Sequence, residues 1–256
     1  MSEPLVLIDT NDPQITVVTL NRPDKRNALS IELIEQVQDA VTHASSDRER
    51  RVILFRANGP SFCAGLDLKE ATDPGQSHNS AVVLSKMYQA IATSPLITIA
   101  HAHGAAMGGG AGFVAACDLA VGASDLNLGY PEVHRGLVAA LVTTLLRRQL
   151  GERIVRELVL LGQIVNATRA LEIGLINRIG TFEDAMSLAR ESCKGAPGAN
   201  ARSKRLLDTL TARSIGDDLR LALDFHLHAR ESAEAAEGSR AFLEKRAPNW
   251  GPRPVD

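Results

Sequence analysis

Three stretches of this chain carry residues that could do chemistry. The first is Ser61-Phe62-Cys63-Ala64-Gly65-Leu66-Asp67-Leu68-Lys69-Glu70, where a strand gives way to a turn of small residues that exposes backbone N–H groups. The second is His103-Gly104-Ala105-Ala106-Met107-Gly108-Gly109-Gly110-Ala111-Gly112. Consecutive glycines ahead of a helix let a ligand come close to backbone amides. The helix N-terminus adds a partial positive charge of about half an elementary unit, which suits a phosphate or a developing oxyanion. The third is Tyr130-Pro131-Glu132-Val133-His134-Arg135-Gly136-Leu137. Pro131 fits the first turn of a helix and Glu132 its N-terminus, and a positioned carboxylate there can carry a proton. Each stretch also has a purely structural reading: a turn capped by Asp67, tight packing of a glycine-rich helix, and a helix start capped by Glu132.

Other chemistries fit less well. His101, His103 and His134 do not share a metal-ligand spacing, and Cys63, Cys117 and Cys193 match no zinc or redox motif, so no metal is expected. No G-x-S-x-G elbow is present. Gly110-Ala111-Gly112-Phe113-Val114-Ala115 fits G-x-G-x-x-A, with Glu132 about 20 residues on, which would suit a nicotinamide enzyme. Its first glycine, however, lies well past the strand that ends at Ala102 instead of at the strand end.

The elements that must position these stretches alternate. Ile15–Leu20, Val52–Phe55, Ile97–Ala102 and Leu119–Val121 are short and apolar or β-branched, as buried strands are. Ser30 is a good N-cap, with Ile34, Val37 and Val41 on one helical face behind it. A helix follows the glycine run to about Cys117, and others are expected over 139–150, 153–161 and 183–193. Residues 71–80 are polar and contain Pro74 and Gly75, which predicts a mobile loop. Strands alternating with helices indicate an α/β fold with largely parallel sheets. Pro197-Gly198 marks a shift in composition, followed by helices over about 199–212 and 217–246, the second with Leu219, Leu223 and Leu227 on one face. The expected division is a core over 1–195 and a helical region over 196–256.

The chain has 256 residues, 45% of them hydrophobic, enough to bury one substantial core. A net charge of −2 gives no basic face for nucleic acid. The unpaired cysteine count suits a reducing cytosol. The first residues do not read as a signal peptide, and no apolar run is long enough to span a membrane. The cytoplasm is therefore the expected location.

Taken together, these pieces resemble the enoyl-CoA hydratase/isomerase (crotonase) superfamily. Asn21-Arg22-Pro23-Asp24-Lys25-Arg26-Asn27-Ala28-Leu29 is similar to its first signature loop, Phe62–Glu70 to its first oxyanion segment and Gly104–Gly112 to its second. Cys117-Asp118-Leu119-Ala120, Ala167–Asn177 and Gly238–Pro248 are similar to later landmarks. The resemblance implies a spiral of ββα units whose C-terminal helical region takes part in a homotrimer or a dimer of trimers. It implies an acyl-CoA substrate, with no cofactor beyond the coenzyme A it carries, in fatty acid metabolism. The backbone N–H groups of Leu66 and Gly109 would form the oxyanion hole. CoA would run past Lys25, Ala28 and the segment Ala64–Leu68, including Asp67, with Lys25 and Arg26 as the local cations for its phosphates. Glu132 matches the Pro-Glu glutamate of the family and would be the acid/base. The chain departs from the hydratase pattern at Gly112, which stands where a first glutamate is usual, and at Ala140, where dienoyl isomerases and dehalogenases carry a carboxylate. The expected activity is a single-glutamate double-bond shift or hydration. A CoA-thioester binder with little turnover is the alternative.

Overall fold

The computed structural model describes residues 4–211 and 213–249. A six-stranded sheet is built from β1 (Val6–Asp9), β2 (Ile15–Leu20), β3 (Val52–Ala57), β4 (Ile97–Ala102), β6 (Leu119–Gly122) and β9 (Arg178–Ile179), hydrogen-bonded in that order. β1 is antiparallel to β2, and the remaining neighbours are parallel. A second sheet orders β5 (Ala105–Met107), β7 (Asn127–Gly129) and β8 (Ile164–Asn166). Parallel strands covered on both faces read as continuous apolar runs. Here Ile15, Val17, Val52 and Leu54 pack under Ala185, Leu188 and Ala189 of the helix Phe182–Ser192, while Val18, Leu20, Ile53 and Phe55 face the larger core.

The chain winds through both layers. After β2 it forms a bridge at Leu29 and then α1 (Ile31–Ser46). After β3 it pairs Cys63 with Ala106 and Leu66 with Leu29, then runs through α2 (Leu68–Thr72) and α3 (Ser77–Thr93). After β4 it makes β5 and α4 (Gly109–Ala116), and after β6 it makes β7 and a 3-10 turn, Pro131–Arg135. Each turn of the spiral thus ends its second-layer segment on the same side, next to its neighbour's. That placement brings residues 64–66, 107–109 and 131–135 together.

Ser30 caps α1 by accepting from the Leu33 amide at 3.3 Å, and Leu33, Ile34, Val37, Ala40, Val41 and Ala44 are its buried face. The expected loop over 71–80 is corrected: α2 runs to Thr72 and α3 begins at Ser77, leaving 73–76 as a turn. Next come α5 (Ala140–Gln149), α6 (Glu152–Leu161), α7 (Ala167–Glu172), α8 (Phe182–Ser192) and α9 (Pro197–Thr209). The expected helix 199–212 ends at Thr209, with residue 212 outside the described residues. The expected helix 217–246 is two helices, α10 (Ile215–Arg230) and α11 (Ala233–Leu243). The break occurs because Ser232 takes an extended conformation and caps α11, accepting from the Ala235 amide at 3.1 Å.

α10 packs on α3 and α5, with Leu219 buried, and α11 packs on the 3-10 turn. A Cβ on Gly238 would collide with the backbone of Arg135, so α11 reaches that turn only because the position is glycine. Residues 250–256 of the expected C-terminal region lie outside the described residues. No helix among the described residues is long and apolar enough to cross a membrane.

Candidate active site

A cavity of about 470 Å³ opens where the spiral's second layer meets the C-terminal helices. Leu66, Gly109 and Glu132 all line it, as do Ala64 and Leu68. Lys25, Arg26, Ala28 and Asp67 do not line it. They form the outer support, since the Arg26 carbonyl accepts from the Ala64 amide at 3.0 Å and the Leu29 carbonyl from the Asp67 amide at 2.9 Å. Asn27, fully buried, locks this loop: its amide group donates to the carbonyls of Asn58 and Ser61, both at 2.9 Å.

Asp67 is engaged elsewhere. It accepts from Arg22 at 2.7 Å and from the Lys69 amide at 3.0 Å, capping α2. Burial opposes its ionisation, but Arg22 and the cap outweigh burial and hold its carboxyl below the usual range. The capping role weighed for Asp67 from the sequence is thus the one its side chain plays.

The Leu66 and Gly109 amides sit side by side. Leu66 N lies 3.6 Å from where a Cβ on Gly109 would stand, and Gly109 N lies 3.6 Å from where one on Gly65 would stand. Among the described residues neither amide donates to another backbone carbonyl, so both remain free for a ligand oxygen. Gly109 opens α4, whose dipole reinforces its amide. Gly65 must be glycine, because its φ is 96° and a Cβ would stand 2.8 Å from the Met107 carbonyl.

Glu132 is held in the 3-10 turn after Pro131, with its carbonyl accepting from Leu137 at 3.1 Å. Its carboxylate lies against the glycine run. Gly108 has φ 50° and ψ −116°, and a Cβ there would stand 2.9 Å from Glu132 Oε1. Glu132 Oε2 is shielded from solvent and has no hydrogen-bond partner among the described residues. Burial pushes the carboxyl up to about 7, despite a hydrogen bond from its own backbone and the nearby Arg135 guanidinium. Such a group holds or releases a proton readily near neutral pH.

Tyr88, on the buried face of α3, has no signal in its local sequence but shapes the site. Its hydroxyl donates to the Gly109 carbonyl at 2.6 Å. A Cβ on Gly112 would run into that hydroxyl and stand 2.8 Å from Tyr88 Cζ and 3.0 Å from Val142 Cγ2. The space a side chain at 112 would need is filled, and no carboxylate can project from that position. Burial keeps the tyrosine neutral by raising its pKa well above the ordinary value. Cys63, in the same segment as Leu66, is also inert, because burial pushes its thiol up to about 12.

Gly110 and Gly112 belong to the body of α4, and a Cβ on Gly110 would stand 2.7 Å from Cys63 Cβ. The G-x-G-x-x-A match is therefore a helix-packing pattern and no dinucleotide loop. Among the described residues no three His, Cys, Asp or Glu side chains group as a metal site.

The profile of the enoyl-CoA hydratase/isomerase family matches residues 10–253. The chain belongs to that family. An enoyl-CoA hydratase from Mycobacterium avium has the same fold, with a TM-score of 0.85 and 34% identity over 98% of this chain and 100% of that one. An enoyl-CoA hydratase/isomerase from Pseudoalteromonas atlantica superposes with a TM-score of 0.87 at 27% identity, covering 96% of this chain and all of its own. The mouse mitochondrial enoyl-CoA hydratase domain-containing protein 2 is 33% identical over 248 residues, 92% of this chain and 84% of its own length. Membership makes this chain an acyl-CoA thioester-processing enzyme of the crotonase fold.

Proposed function

We propose that the enzyme shifts a double bond within an enoyl-CoA, with Glu132 as its single acid/base. The thioester oxygen accepts from the Leu66 and Gly109 amides. Glu132 takes a proton from the carbon next to the thioester, and the electron pair moves into the carbonyl to give an enolate. Two aligned donors stabilise that charge, and losing one costs about 3 kcal/mol of barrier. The protonated Glu132 then returns its proton to a different carbon of the conjugated chain. Atoms and charge balance with no cofactor beyond the coenzyme A of the substrate.

The observation carrying this reading is Tyr88 in the space beside Gly112, which leaves Glu132 the one acid among the cavity's lining residues. Hydration by the same carboxylate is the second reading, favoured by the hydratase names of the relatives. Lys25 and Arg26, beside the Ala64 segment, would meet the CoA phosphates at the rim. Leu206, Leu207, Leu210, Phe225 and Leu243 are exposed apolar side chains on the C-terminal helices, which supports a trimer contact there. Sedimentation tests the trimer, and a concentration-independent monomer would exclude it.

The test of mechanism supplies 2-enoyl- and 3-enoyl-CoAs of varied chain and follows the double bond and added water. Wild type should interconvert the two positions. Glu132→Gln should lower turnover by at least about 100-fold while CoA still binds. A variant keeping most of the wild-type rate would end the single-carboxylate mechanism.

A further inference from the structure

The same cavity is lined by two guanidinium groups and a buried imidazole that the reaction proposed above does not use. His226 and Arg230 lie one helical turn apart on α10 and both line it, as does Arg135 from the 3-10 turn. Glu132 is the one acid among the lining residues. Neither guanidinium has a carboxylate within 4.0 Å among the described residues. Arg230 donates through Nη1 to the Ser77 carbonyl and to Ser80 Oγ, both neutral acceptors, leaving Nε and Nη2 without a protein partner among the described residues. Arg135 stacks over the Phe242 ring at 4.1 Å. His226 is 8% exposed; its Nδ1 faces the Val138 carbonyl at 3.4 Å, and its Nε2 is buried with no partner among the described residues.

Buried charges and buried polar atoms are retained where something pairs with them. Arg230 is half-buried at the cavity wall, and an alkyl tail would leave its free edge without a countercharge and the buried His226 Nε2 unmatched. A planar carboxylate matches the free edge of a guanidinium with two parallel hydrogen bonds. We propose that the acyl group carries a carboxylate at the end remote from the thioester, held by Arg230 with His226, so that the substrates are CoA monothioesters of dicarboxylic acids. This names the substrate class of the reaction proposed above and rests on that reading for the thioester's place. Burial and the Arg230 cation push His226 down to about 4, so the ring is neutral, and in its Nε2–H tautomer it would donate to the second carboxylate oxygen. Arg135 adds positive field from the turn that bears Glu132.

The experiment reads affinity rather than turnover, so it survives failure of the mechanism. Saturated acyl-CoAs from succinyl-CoA to suberyl-CoA are titrated calorimetrically, each against the methyl-terminated acyl-CoA of equal length, with free CoA as a third arm. At the best length, wild type should bind the carboxylate form at least about 10-fold more tightly, the scale of a charge-assisted pair. Arg230→Gln should bring the ratio to about one, and Arg230→Lys should keep part of it. Ratios on one preparation cancel any loss of folded protein, and the wild-type ratio stands even if a variant does not fold. A wild-type ratio at or below one at every length overturns the proposal. So does a ratio that Arg230→Gln leaves intact. Equal weakening of free CoA by Arg230→Gln would assign the arginine to a CoA phosphate and overturn it as well.

Discussion

Glu132 should cost the folded enzyme stability at alkaline pH, and removing its charge should return it. Its carboxyl rises from 4.5 in the unfolded chain to about 7 in the fold, chiefly through burial. At about 1.4 kcal/mol per pH unit the ionised form is penalised by about 3 kcal/mol. Solvent at the cavity mouth screens part of this, leaving about 2 kcal/mol. Below pH 4.5 both folded and unfolded chains are protonated at this group, and it costs nothing. Between 4.5 and about 7 the unfolded chain releases its proton while the fold retains it, so stability falls as pH rises. Above about 7 the full cost is present. Gln has the same shape and no charge. Glu132→Gln should therefore melt close to wild type near pH 4.5 and about 5 °C higher in mild alkali, from about 2–4 °C per kcal/mol for a domain of this size. Differential scanning calorimetry at the two pH values checks this, and effects of the amide itself cancel in the comparison. The same difference at both pH values, or none in alkali, would refute burial as the origin of the raised pKa.

Three further outcomes follow from the geometry. Gly112→Glu, which would restore a second carboxylate, should instead destabilise the enzyme through the Tyr88 ring; combining it with Tyr88→Ala should recover folding in thermal melts, and a stable, hydrating single variant would show that the site admits the side chain. Gly109→Pro removes one of the two free amides and should cost about 3 kcal/mol of barrier or more, part of it from backbone distortion, so near-normal kcat would rule that amide out as a donor. Charge reversal at Lys25 and Arg26 together should weaken CoA binding, more at low salt than at high, with titration across ionic strengths as the check and unchanged affinity removing them from the phosphate path.

Four strands of the main sheet are readable from sequence because they are apolar and buried, whereas β1 and β9 are largely exposed and too short to stand out. Ile15–Leu20 and Ile97–Ala102 coincide with the observed strands, and Val52–Phe55 and Leu119–Val121 fall short at one end only. The second layer was not readable. β5, β7 and β8 have three residues each, too few for alternation to show. The start of α3 looks like loop in the sequence because Ser77, His78 and Asn79 are polar, and Gln76 makes no side-chain cap. Glu132 and the paired amides came from motif resemblance, and the structure places their three segments around one cavity. Tyr88, His226 and Arg230 act on that cavity from helices far away in sequence, where an aromatic or a cation on a helix looks like any core or surface residue. Only the packing of α3 and α10 reveals them.

The brace that α11 gives the Glu132 turn has a consequence in time. Gly238 follows Glu132 by 106 residues, so at about 5–20 residues per second of synthesis the brace is made roughly 5–20 s after the turn it holds. The paired amides need no such wait: the bridges and hydrogen bonds that shape them come from residues no later than Gly129. The residues that shape the two paired amides are thus all synthesised well before the helix that braces the Glu132 turn.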